Sequence, residues 1–218
     1  MESVEGNVIL VDKPLEWTSF DVVKKLRYFL KVKKIGHAGT LDPLATGLLV
    51  LCTGKMTKQI EKFQGQEKEY TGQFTLGQTT PSYDLETAPT EPIDISHITL
   101  EQLNETKKHF EGVIDQTPPI FSAIKVKGKR AYESARKGED IKLKSRQVEI
   151  KLFDIVSFEG NKVAFKVVCT KGTYIRSLAH DFGQKLGTGA YLSELRRTRI
   201  GNFRVEEAKT IEELTKSK

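Results

Sequence analysis

Apolar and polar positions alternate along this chain in short runs of period two, broken by stretches where the apolar residues recur at helical spacing. Val8-Ile9-Leu10-Val11 predicts a strand ending at Asp12-Lys13-Pro14. Thr18 and Asp21 form a capping-box pattern ahead of Val22, Val23, Leu26, Phe29 and Leu30, an amphipathic helix with a basic outer face. Leu48-Leu49-Val50-Leu51-Cys52 is continuously apolar and reads as a buried strand, and a helix is expected from Thr57 to Phe63. Tyr70, Gly72, Phe74 and Leu76 alternate with polar neighbours, so this strand places Tyr70 on its apolar face. Thr79 to His97 is polar and carries three prolines, which predicts a long irregular loop. A helix from Leu100 to Phe110 follows, with Thr99 and Gln102 as a second capping box. Gln116-Thr117-Pro118-Pro119 breaks the chain before an expected strand from Ser122 to Lys127 and a short helix from Ala131 to Lys137. Val148-Ile150-Leu152 and Val163-Phe165-Val167-Cys169 predict two strands around a turn at Glu159-Gly160-Asn161. Ile175, Leu178, Ala179, Phe182 and Leu186 mark a helix stopped by Gly187; a strand from Leu195 to Ile200 and a small helix around Ile211 and Leu214 complete the pattern. Strands and helices mix without strict βαβ alternation, so the fold class expected is α+β around a mixed, largely antiparallel sheet flanked by helices.

A chain of 218 residues, 38% hydrophobic, fits one sizeable domain with a core of its own. Acidic Glu2 and Glu5 precede the first apolar run, and no run approaches membrane-spanning length, so an intracellular, cytoplasmic protein is expected. Cys52 and Cys169 end apolar runs and read as buried small hydrophobes. His37, His97, His109 and His180 have no metal-ligand spacing, so no metal is expected. The net charge of +6 matters less than its placement. Lys24-Lys25-Arg27-Lys31-Lys33-Lys34, Lys125-Lys127-Lys129-Arg130-Arg136-Lys137, Lys142-Lys144-Arg146 and Arg196-Arg197-Arg199 form four basic clusters. Together they favour a polyanionic partner such as nucleic acid over solvated faces.

Candidate chemistry concentrates in Gly36-His37-Ala38-Gly39-Thr40-Leu41-Asp42-Pro43-Leu44-Ala45-Thr46-Gly47. Pro43 pushes Asp42 out of the helical region, and the glycines allow close backbone approach. A lone carboxylate in a stiff loop suits covalent or acid/base work; a plain Asp-Pro turn fits the same residues. Two further segments could share a cleft with it. One is Lys68-Glu69-Tyr70. The other is Lys171-Gly172-Thr173-Tyr174-Ile175-Arg176, where Arg176 is off the core stripe and could hold a carboxylate ionised and oriented. Taken singly, Tyr70 reads as a core tyrosine and Arg176 as a surface arginine.

These segments resemble a known family. The Gly36–Gly47 loop closely resembles the nucleophile motif of the TruB-type tRNA pseudouridine-55 synthases, and Asp12-Lys13-Pro14 resembles their N-terminal Lys-Pro motif. Lys68-Glu69-Tyr70 resembles the tyrosine motif. Pro118-Pro119-Ile120-Phe121-Ser122-Ala123-Ile124-Lys125 with Gly128-Lys129-Arg130-Ala131-Tyr132 resembles the RNA-contacting insertion. Gly172-Thr173-Tyr174-Ile175-Arg176-Ser177-Leu178 resembles the arginine motif, and Leu195-Arg196-Arg197-Thr198 the closing strand. Six motifs occur in the family's order between Val8 and Phe203.

The resemblance implies a single pseudouridine synthase catalytic domain with a basic RNA-binding insertion at about 117–146 and no C-terminal PUA domain. It implies isomerisation of uridine to pseudouridine in the T stem-loop of tRNA, without cofactor or protein partner, by a monomer. Asp42 would be the nucleophile, attacking either the ribose anomeric carbon or base C6; Tyr70 would stack on the base, and Arg176 would pair with Asp42. His37, Tyr174, Leu195 and Lys13 would bind substrate, and Lys125, Lys129 and Arg130 would grip RNA. Extrusion of a base costs a few kcal/mol, and stacking recovers about 1–3 kcal/mol per base. Two other readings use the same surface: a non-catalytic tRNA-binding or folding protein, and an RNA-guided subunit. The Thr79–Glu86 segment departs from the family's usual acidic loop, so Asp84 receives no role from the match.

Overall fold

The apolar run after Asp42 lies inside a strand spanning Ala45–Thr53, of which every residue from Gly47 to Thr53 is buried. The computed structural model describes residues 6–122, 124–126, 129–131 and 143–216. In chain order its strands are β1 (Val8–Lys13), β2 (Ile35–Ala38), β3 (Ala45–Thr53), β4 (Lys68–Leu76), β5 (Gly112–Gln116), β6 (Lys125–Val126), β7 (Lys129–Arg130), β8 (Arg146–Glu159), β9 (Lys162–Cys169), β10 (Ala190–Ile200) and β11 (Phe203–Arg204). Its helices are α1 (Ser19–Leu30), α2 (Ile60–Gly65), α3 (Leu100–Lys107), α4 (Ile175–Leu186) and α5 (Ile211–Thr215). Two compact units result: Met1–Thr71 with Glu194–Lys218, and Gly72–Ser193.

In the first unit β3 is central. It pairs antiparallel with β1, from Val8↔Cys52 to Lys13↔Gly47, and with β2, from Ile35↔Thr53 to Ala38↔Val50. Along its start β10 runs parallel, with Leu195↔Ala45, Arg196↔Thr46 and Arg197↔Gly47. Both faces of β3 are covered, which is why its sequence is continuously apolar rather than alternating. Leu49 and Leu51 join Val22, Val23 and Leu26 of α1, Val11 and Ile211. Leu48, Val50 and Cys52 face Phe63, Ile200 and Val205. The Thr18–Asp21 capping box starts α1, and Lys31 ends it in the left-handed region.

The second unit is built on antiparallel β5–β8 and β8–β9 pairs. Its core centres on Phe74, which contacts Phe153, Phe165 and Phe182. The Thr99–Gln102 box starts α3, and Gly187 closes α4 in the left-handed region. These pairings give the mixed, largely antiparallel α+β architecture expected.

Element boundaries differ from expectation where local chemistry overrides pattern. β2 forms inside the glycine-rich segment, and β5 forms where Val113 is 66% exposed and no alternation marks it. β8 is longer than its alternating run because register shifts near Ile150 and Ile155 break the period of two. The final turn of the helix expected to Phe110 is a 3-10 turn, Lys108–Phe110. In the insertion, β6 and β7 pair through Lys125↔Arg130 and Val126↔Lys129. The side chains of Lys125, Lys129 and Arg130, and the helix expected beyond Ala131, lie outside the described residues.

Candidate active site

The Asp42 segment bridges two strands of the first unit, and three side chains from elsewhere in that unit fasten it. Ser19 Oγ, at the start of α1, accepts from Leu41 N at 2.9 Å and donates to Leu41 O at 3.2 Å. Lys13, at the end of β1, is wholly buried. Its ammonium donates to the carbonyls of Pro14 (2.9 Å), Trp17 (2.6 Å) and Pro43 (3.3 Å). Glu16 N donates to Pro43 O at 2.9 Å, and Ala45 N to Asp42 O at 3.1 Å. The third side chain, Arg197 of β10, is 1% exposed. It donates from Nε to Leu48 O (2.8 Å) and from Nη2 to Gly39 O (3.0 Å).

This lacing explains the glycines. Gly47 has φ 99°, and a Cβ there would stand 2.3 Å from Arg197 O, so only glycine admits the parallel β3–β10 contact. Gly39 has φ 89° where its carbonyl meets the guanidinium. Arg197 belongs to a motif the sequence displays, yet its role was not legible there. A buried arginine serving carbonyls far away in sequence leaves no periodic signal.

Charge is concentrated around the half-buried Asp42. Burial pushes the Lys13 ammonium down to about 8, while Asp42 acts to raise it and Arg197 to lower it. Burial, reinforced by Arg197, also holds His37 below the ordinary imidazole range, so His37 is neutral near pH 7. Its Nδ1 has no partner among the described residues. Leu195 is half-buried opposite Ala45, three residues after Asp42. Tyr70 is 8% exposed on β4, on the buried side as its period predicts. Beside it Thr198 Oγ1 donates to Glu69 Oε1 at 2.8 Å.

In the second unit, Arg176 is 4% exposed in the first turn of α4, not the surface arginine its position off the apolar stripe suggests. Its Nη1 donates to Ser82 O at 3.3 Å and lies 3.6 Å from Asp84 Oδ2. Asp84 is itself 5% exposed and accepts Glu86 N at 2.9 Å. Its carbonyl receives Thr80 Oγ1 and Ser82 Oγ. The long loop therefore carries a buried carboxylate to Arg176, a partnership that sequence reasoning missed because the loop's Ser/Thr/Asp chemistry also describes ordinary turns. Tyr174 caps α4 through its backbone: Gln116 Oε1 accepts Tyr174 N (2.7 Å) and Gln116 Nε2 donates to Tyr174 O (3.0 Å). The Arg146 guanidinium lies 5.0 Å from the centre of the Tyr174 ring.

Among the described residues no group of three or more His, Cys, Asp or Glu could hold a metal, and no helix is long and apolar enough to cross a membrane. Both cysteines are buried and free.

The Asp42 loop is thus held at its backbone by buried cations and a buried hydroxyl, and comparison with known proteins gives the family to which the chain belongs. Residues 27–175 match the N-terminal domain of the TruB family pseudouridylate synthases, and residues 176–218 the C-terminal domain of tRNA pseudouridylate synthase B. The chain belongs to the TruB family, whose members are isomerases. The tRNA pseudouridine synthase B of Flavobacterium johnsoniae is 55% identical over 95% of this chain and 93% of its own length. That of Parabacteroides distasonis is 50% identical over 98% and 94%. A solved Cbf5-Nop10-Gar1 complex contains a chain of TM-score 0.76 and 33% identity, covering 95% of this chain. This chain spans about half of that one (53%).

Proposed function

We propose that this protein isomerises one uridine of tRNA to pseudouridine, at position 55 in the T loop, with Asp42 as nucleophile. What supports the reading is the construction of the Asp42 loop. Lys13, Ser19 and Arg197 direct donors to the carbonyls of Pro43, Leu41 and Gly39 in this loop, which a plain Asp-Pro turn does not need. Fixing a nucleophile before substrate arrives removes orientational entropy from the barrier.

The chemistry balances without a co-reactant. The glycosidic C–N bond breaks, the base turns, a C–C bond forms at C5, the C5 proton leaves and N1 gains one. Asp42 holds the intermediate by bonding to the ribose anomeric carbon or to C6. The base must leave its stack to reach the carboxylate, and Tyr70 supplies a ring that offsets that cost. The family resemblance implies Arg176 as the guanidinium that serves the nucleophile, and within its own unit Asp84 lies 3.6 Å from it and can orient it. Tyr174 and Leu195 line the uracil site, and neutral His37 contacts the displaced loop. Lys13 acts from beneath the loop, because its donors are occupied by carbonyls and it has no exposed surface. Lys125, Lys129 and Arg130 of the insertion grip RNA phosphates.

The test is Asp42→Asn with tRNA transcript labelled with tritium at uridine C5. Normal binding with no tritium release is expected. Release at the wild-type rate removes Asp42 as nucleophile. Product on bare transcript excludes both the RNA-guided subunit and the non-catalytic binding protein, and product mapping outside the T loop overturns the assignment to position 55.

A further inference from the structure

An open groove of about 790 Å³, lined by Glu16, Trp17, Asp21, Lys24, Lys25, Arg27 and Tyr28, runs along the solvent side of α1 and takes no part in the chemistry above. We propose that it is a second RNA subsite, which takes an unpaired nucleotide of the tRNA substrate adjoining the target uridine. The proposal rests on the tRNA reading but adds a site to it.

Three observations within the first unit carry it. The groove abuts the nucleophile's loop: Glu16 N bonds Pro43 O, and Trp17 O accepts from Lys13, whose ammonium also reaches Pro43 O. An RNA strand delivering its uridine to Asp42 therefore has this groove beside it. The walls suit a base. Trp17 is half-buried and packs against the cluster of Val11, Val22 and Leu26, so it is a rigid platform, whereas Tyr28 on the same groove is 86% exposed. A fixed indole and an exposed phenol ring on one groove give a nucleobase two stacking faces. The charge suits a phosphate. Lys24, Lys25 and Arg27 line the groove, and exposed Lys31, Lys33 and Lys34 continue the positive stretch. Of the two acids, Asp21 has its carboxylate engaged by Thr18 in the capping box. The volume lies within the roughly 300–1,000 Å³ of ligand pockets.

Trp17 is the only tryptophan in the sequence, so all tryptophan emission reports on this groove. Titration with unmodified tRNA transcript should quench it saturably, and Asp42→Asn should quench equally, which separates this site from the catalytic assignment. The double variant Lys24→Gln/Lys25→Gln should raise Kd about tenfold at physiological salt and reduce the slope of log K against log salt by about 1.4 to 1.8. Tyr28→Ala, at an exposed position that folding does not need, should weaken both quenching and binding. Emission unchanged while turnover is saturated overturns the proposal, as does an unaltered Kd and salt slope in the double variant. Tyr28→Ala binding tRNA normally would also overturn it, and would assign the groove to a protein or a second copy.

Discussion

Lys13 is an unusual lysine because full burial has not cost it its donors' partners. Three carbonyls receive its ammonium, and yet desolvation lowers its affinity for the proton from 10.5 to about 8. The unfolded chain therefore binds more protons than the folded one between about pH 8 and 10.5, and stability contributed at this site rises with pH through that window. A depression of this size corresponds to about 3 kcal/mol, present as a cost below pH 8 and relieved above 10.5. Urea titrations at several pH values should show wild type gaining on Lys13→Met by an amount of that order as the pH climbs. A constant gap would mean the ammonium is not desolvated. Such a cost is tolerated where it holds a loop, and the loop held here carries Asp42.

Arg197 does for two strands what Lys13 does for one turn. Its replacement by Met leaves the carbonyls of Leu48 and Gly39 without their donors, at a cost of about 2–4 kcal/mol, measurable as a fall in thermal midpoint. The loss should fall on kcat as well, because Gly39 lies three residues from Asp42. Full activity would show that the loop keeps its shape unaided. The loop from Thr79 to His97 offers a parallel case in the second unit. Tyr83 holds a left-handed φ of 65°, accepts at its carbonyl from Leu192 N at 2.9 Å, and stacks on His180 at 3.9 Å. That stack fixes the residue immediately before Asp84. Tyr83→Phe should therefore retain turnover, whereas Tyr83→Ala should lower kcat several-fold with KM little changed; equal kcat in both would detach the stack from Arg176. These features also mark how far sequence carried. Capping boxes at Thr18 and Thr99, the glycine stop at 187 and the alternation of β4 are local, and each was legible. Asp84 meeting Arg176 and Arg197 meeting Gly39 depend on chain segments brought together by folding, and no local pattern records them.

The sequence displayed the Asp42 loop, Tyr70 and Arg176 as separate motifs, and the resemblance of six motifs in order linked them to one reaction. What it left unread was the mixture of buried and exposed cations in a chain with 35 lysines and arginines. Lys13, Arg176 and Arg197 are inside, spending their charge on carbonyls and carboxylates, whereas Lys24, Lys25 and Lys34 are outside. Only the second kind can release counterions from RNA, so the salt dependence of binding counts them selectively. Lys125→Gln/Lys129→Gln in the insertion should flatten the log–log slope by about 1.4 to 1.8, as the Lys24/Lys25 pair does. If one tRNA engages insertion and groove together, the quadruple variant should lose the sum of the two decrements. If the surfaces bind RNA in alternative modes, the quadruple decrement should fall short of that sum, and Trp17 quenching should weaken as competing binding through the insertion takes over. Asp42→Asn, which changes one half-buried carboxylate at the site of chemistry, should leave the slope where it was.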